Sequence, residues 1–155
     1  MSKRLPSLPA AALALIGMGT IVGAVPAAAS DSIYSLSIAD ALASDEAKEK
    51  LDPSVHFYFG DTAHPAVQQS FGDYVSNRKT NSFLKGDQGV CTHVFLSTLI
   101  EFQKRAQSMG ANAVINIHSY YKKVETSDNA QIPCHVGGLM AGIAIKGEVV
   151  KLRQP

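Results

Sequence analysis

The strongest constraint in this sequence is a change of period around one glycine. Across residues 90–109, Val94, Phe95, Leu99, Phe102, Ala106 and Met109 recur at spacings of one, three and four, which gathers them on one helical face. Lys104 and Arg105 fall in the later half, where the helix end is negative, and Gly110 supplies the stop. Residues 113–124, AVINIHSYYKKV, then alternate as a strand does. Ala113, Ile115, Ile117 and Ser119 are expected on one face of that strand, and Val114, Asn116, His118 and Tyr120 on the other. A one-faced helix beside an alternating strand implies helices covering one face of a sheet.

The remaining segments fit this frame. Residues 38–51, IADALASDEAKEKL, read as a helix broken near Ser44 and ended before Asp52-Pro53. Residues 55–59, VHFYF, read as a strand turned by Gly60-Asp61. Residues 62–72 read as loop, 73–83 as a weak polar strand, 85–89 as a turn and 126–133 as a polar loop. Residues 134–152 read as the last strand, with Leu139, Ala141, Ile143 and Ile145 opposite Met140, Gly142, Ala144 and Lys146. The expected fold is α+β: about four strands, mostly antiparallel, against two helices in the order α-β-β-α-β-β. The last two strands are expected to form a hairpin, with the long helix as a crossover before them.

The N-terminal segment reads as an address. Lys3 and Arg4 precede an uncharged run of about 16 residues, short for a span that needs about 20 and interrupted by Gly17, Gly19 and Gly23. Ala27 and Ala29 then give the small-residue exit of a secretory signal peptide. Residues 1–29 are expected to be removed, leaving residues 30–155 as one soluble periplasmic domain without a stable membrane anchor. The chain has 14 Lys and Arg against 13 Asp and Glu, a net charge of +1, so nothing favours nucleic acid as a partner.

Export bears on the two cysteines, Cys91 and Cys134, which in an oxidising compartment most often pair. The bond would fasten the entry of the long helix to the last strand and close a loop of about 43 residues, worth about 4 kcal/mol in the chain-entropy model. The alternative is a zinc or copper site of Cys91, His93, Cys134 and His135. Against it, Cys91 and His93 diverge around a helix, and Cys134 and His135 face opposite sides of a strand. A Cys91 nucleophile at a helix N-terminus, assisted by a histidine, is a weaker signal still. Asp45 and Glu49 lie four apart on the first helix but are flanked by Lys48 and Lys50, as on a solvated face. Arg78-Lys79 and Lys122-Lys123 read as solvated strand edges. GxxxxGK[ST] is absent, as is a serine nucleophile elbow.

Residues 105–117, RAQSMGANAVINI, with residues 134–145, CHVGGLMAGIAI, resemble two related groups: the RcsF outer-membrane stress sensors and the YbjQ-type heavy-metal-binding domains. The resemblance implies a similar helix, "ANAV" strand and closing strand, and the placement of Cys91 and Cys134 is similar to one of the sensor's two disulfides. The second disulfide, the lipidated cysteine and the Pro-rich linker have no counterpart here. Tyr58–Asp61, Thr80–Phe83, Cys91-Thr92-His93 and Cys134-His135-x-Gly137 also resemble small secreted proteobacterial proteins often labelled "excinuclease ATPase subunit". An exported chain without a P-loop or a basic cluster does not fit that label.

The expectation is therefore a non-enzymatic periplasmic envelope protein without a cofactor, binding a ligand or an envelope protein, with a metal-binding module as the alternative. The candidate binding face is His118, Tyr120, Gly137, Gly138, Met140 and Gly142, because glycines in a strand can mark the close approach of another backbone.

Overall fold

A computed structural model describes residues 31–83 and 86–154. The expected leader, residues 1–29, and Lys85 of the expected turn lie outside the described residues.

The sheet is organised around its last strand. This strand, β6 (Met140–Leu152), pairs antiparallel along one side with β3 (Val67–Asn81). Its other side is shared: β5 (Gln131–Val136) pairs at its N-terminal end and β4 (Ala113–Ser119) towards its C-terminal end. β1 (Ser32–Ser37) adds antiparallel to β5, and β2 (His56–Phe59) adds parallel to β4. The fold is α+β and mostly antiparallel as expected, but the sheet is mixed and has six strands.

One face of this sheet is covered by α3 (Asp87–Met109), capped at Gly110 in the left-handed region (φ 72°) that glycine enters without strain. Its stripe of Val90, Val94, Phe95, Leu99, Phe102 and Ala106 is fully buried, each large side chain contributing about 1.5–3 kcal/mol. The stripe meets Ile143, Ile145 and Val149 of β6, Val114 and Ile117 of β4, and Leu36 of β1 in one core. The Phe59 and Phe95 rings lie 5.8 Å apart within it.

The first helical segment is broken at Ser44 into α1 (Ile38–Ala43) and α2 (Asp45–Lys50). Ser44 closes the first and opens the second: its Oγ donates to Ala41 O (2.7 Å) and accepts from Ala47 N (3.2 Å). On α2, Lys48 sits 3.4 Å from Asp45 and Lys50 sits 2.8 Å from Glu46, an ordinary exposed ion-pair face.

Several boundaries differ from expectation. β1 is an added strand whose three serines left no clear alternation of apolar and polar residues. Residues 67–72, read as loop, begin β3; its register breaks between Ser70 and Asp73, where Gly72 takes φ 96°, and this hides the strand's period. Residues 87–89, read as turn, form the first helical turn of α3. Residues 134–152 are two strands separated at Gly137–Leu139, and β5 begins at Gln131 inside the expected loop. The two strands expected to pair last, β4 and β6, do pair antiparallel, but β5 intervenes in sequence. α3 connects β3 to β4; both are antiparallel to β6, so they run parallel to each other.

The most consequential difference lies in β4, which ends at Ser119 instead of running to Val124. Asn116 has φ 51°, and the register with β6 shifts between Ile115 and His118. This bulge moves Ile117 from the face of Ala113 and Ile115 to that of Val114 and the core.

Candidate functional site

Cys91 and Cys134 are bonded to each other (Cα–Cα 5.9 Å) and fully buried, so they join the start of α3 to β5. Their sulfurs are thereby spent, and the two histidines beside them diverge. The imidazole Nδ1 of His93 meets Glu46 Oε1 at 2.7 Å on the helical side. Burial alone would raise the Glu46 carboxyl, but its hydrogen bonds with Lys50 and His93 hold it below the usual carboxylate range. His135 follows Cys134 in β5 and faces the other side of the sheet. The four residues of the alternative ligand set are thus not brought together as one site.

On the uncovered face, Tyr121 stacks on His135 with ring centroids 3.3 Å apart and planes 10° from parallel. The backbone explains the placement. After β4, Tyr120 N donates to Ala144 O (2.8 Å), and Ser119 and Thr126 exchange two 3.0 Å hydrogen bonds, pinching residues 120–125 into a loop. Inside it, Lys122 (φ 51°) and Lys123 (φ 65°) are both left-handed. Left-handed non-glycine residues cost about 1–3 kcal/mol each and persist where the surroundings over-determine them. Lys122-Lys123 is therefore a strained turn and not a strand edge; Arg78, at the other expected basic edge, is paired with Glu101 at 2.9 Å.

The stacked pair divides two open clefts. A cleft of about 230 Å³ is bordered by Lys79, Gly137, Met140 and Gly142, and one of about 510 Å³ by Ile33, Val124, Thr126 and Pro133. Tyr121, His135 and Asp31 belong to both. Ile33, Val124 and Met140 are 65%, 63% and 48% exposed, so apolar side chains stand in water around the stack. Burial lowers the His135 pKa, the Lys122 cation lowers it further, and Asp31 opposes both. The surroundings of the stack therefore favour the neutral imidazole over the charged one.

Of the expected binding face, Gly137, Met140 and Gly142 border the smaller cleft. Gly142 does admit a close approach, but by the chain itself: a Cβ there would lie 3.3 Å from the Lys79 stem. Gly138 is exposed in the turn that precedes β6. Tyr120 and His118 belong to a neighbouring cluster. Tyr120 sits under Lys146 Nζ (5.5 Å), and Lys146 donates to Glu125 at 2.8 Å. Buried His118 uses Nδ1 on the Asn116 carbonyl (2.7 Å), leaving Nε2 without a hydrogen bond and 3.8 Å from Glu125. Lys146 foremost, with His118 adding to it, holds the Glu125 carboxyl below its usual range.

Sequence reasoning missed Tyr121, Ile33 and Val124. The Tyr-Tyr-Lys-Lys stretch has no glycine, proline or asparagine to signal a turn, so its alternation reads as continued strand.

No protein-family model, no curated protein and no solved structure matches this chain.

Proposed function

We propose that this protein is a non-enzymatic periplasmic binding module of RcsF/YbjQ-like fold, which takes a ligand or an envelope protein on the uncovered face of its sheet. The carrying observation is the Tyr121–His135 stack, held up by two left-handed lysines and bordered by exposed Ile33, Val124 and Met140. Strained backbone that positions an aromatic platform among exposed apolar groups is a common feature of binding surfaces. The buried Cys91–Cys134 bond suits an oxidising compartment and leaves the only nucleophile candidate of the helix start blocked.

The test is photo-crosslinking in cells from a probe residue placed at Val124, compared with one at Lys104 on the helical side. Specific adducts are expected from Val124 alone, and Tyr121→Ala should remove them. Equal adducts from both positions, or adducts indifferent to Tyr121→Ala, would remove the uncovered face from consideration.

A further inference from the structure

The sheet exposes three strands at its margins, and they are not equally protected. β3 is long but is interrupted at Gly72 and carries Asp73, Arg78 and Lys79. β2 has four residues and a register shift between Phe57 and Phe59. Bulges, brevity and charge are devices that blunt an edge against pairing. β1 has none of them: Ser-Ile-Tyr-Ser-Leu-Ser carries no charge and matches β5 residue for residue from Ser32 to Ser37.

The hydrogen-bond pattern shows what this edge offers. Ile38 N donates to Ala130 O across the β1–β5 register (2.9 Å). In an antiparallel pair the backbone groups alternate in direction, so Leu36, Tyr34 and Ser32 also point toward β5. Ile33 and Ser35 therefore turn their N–H and C=O groups outward, and among the described residues no backbone group pairs with them. Their side chains lie on the uncovered face, where Ile33 is 65% exposed.

We infer that β1 is a self-association edge, taking β1 of a second copy of this chain in antiparallel register about a two-fold axis through Tyr34. In that register Ile33 pairs with Ser35 of the partner subunit, and Ser35 with Ile33 of the partner subunit. Four main-chain hydrogen bonds form from groups that otherwise face water. A second copy is the occupant because the strand is self-compatible: with no charge it brings no like-charge repulsion, and each Ile33 meets a small serine. The pairing joins two sheets and sets the two Tyr121–His135 faces side by side. It does not depend on what that face binds. A six-residue strand buries less than a standard stable interface, so the dimer is weak and reversible.

The test is sedimentation of the purified protein from about 10 µM to about 1 mM, a span that brackets weak association. The expected result is a mass rising toward twice the monomer. Ser35→Pro removes an outward N–H without touching the β5 ladder and should weaken association at least about ten-fold. Ile33→Lys leaves the main chain intact, introduces like charge across the axis and should do the same, while Val75→Lys on the β3 edge should change nothing. Hydrogen exchange supplies the second readout: Ile33 and Ser35 amides should gain protection with concentration, and Tyr34 and Leu36 amides should be protected throughout. A monomer over the whole range overturns the inference. So does a dimer indifferent to both β1 substitutions, or one whose Ile33 and Ser35 amides exchange freely.

Discussion

The two faces of β6 differ in kind. Ala141, Ile143 and Ile145 point into the stripe of α3, where every large side chain is buried. Met140, Gly142, Ala144 and Lys146 point the other way, toward a surface with open clefts, exposed apolar groups and a shifted histidine. The left-handed non-glycine residues Asn116, Lys122 and Lys123 lie outside α3, in β4 and the loop after it. The comparison teaches a division of labour within one strand: the covered face carries the main packed core, while the other face presents open clefts beside the strained turn at Lys122-Lys123.

Substitutions can break that contrast. The largest effect is expected from Phe95→Ala, which empties the centre of the covered face and should cost about 3–5 kcal/mol in denaturant unfolding. Tyr121→Ala on the other face should cost about 1.5 kcal/mol or less, since it removes one stack and relieves little packing. Comparable losses from the two would dissolve the distinction.

Next is the disulfide. Cys91→Ser and Cys134→Ser should each cost about 2–4 kcal/mol, and the double substitution little more than either alone. Additive losses in the same melts would mean that the two sulfurs act separately. A smaller effect marks the point where β4 changes faces. Asn116→Ala should lose about 1 kcal/mol because alanine resists the left-handed backbone, whereas Asn116→Gly should retain stability.

The smallest expected effect is a pH dependence confined to the uncovered face. The folded-state pKa of His135 lies below its ordinary 6.5, so between those two values the unfolded chain binds more protons. Its contribution is therefore a loss of stability as pH falls below about 6.5, complete once pH passes below the folded value. His135→Phe keeps a ring against Tyr121 and should flatten that part of the profile, read as the difference between the two proteins' unfolding midpoints at neutral and mildly acidic pH. Identical profiles would show that the imidazole is not held off its ordinary titration.

The covered face was legible in the sequence and the uncovered one was not, for reasons that can be located. The α3 stripe, the Gly110 stop and the joint at Ser44 are local signals, each written in a few neighbouring residues. The apolar alternation of β6 was also readable, because one of its faces is wholly buried. What failed depends on distant contacts. The exchange of faces at Asn116 needs β6 alongside, and the turn at Lys122-Lys123 is held by the Ser119–Thr126 bridge and not by turn-forming residues. Gly137 and Gly142, which border the smaller cleft, stand out in the sequence because glycine in a strand is a visible anomaly. Tyr121 was missed because a tyrosine after an alternating run is not.

The position of β6 as the last strand has a consequence for how a chain made from its N-terminus acquires this sheet. Among the described residues β3 pairs only with β6, so until Met140–Leu152 arrives the chain can hold two separate ribbons, β1 with β5 and β2 with β4, and an unpaired β3. Both cysteines precede β6, so their bond can form while the centre of the sheet is still missing. Oxidation then ties α3 to the β1–β5 ribbon in advance, and arrival of the C-terminal segment becomes the single event that zips three strands at once.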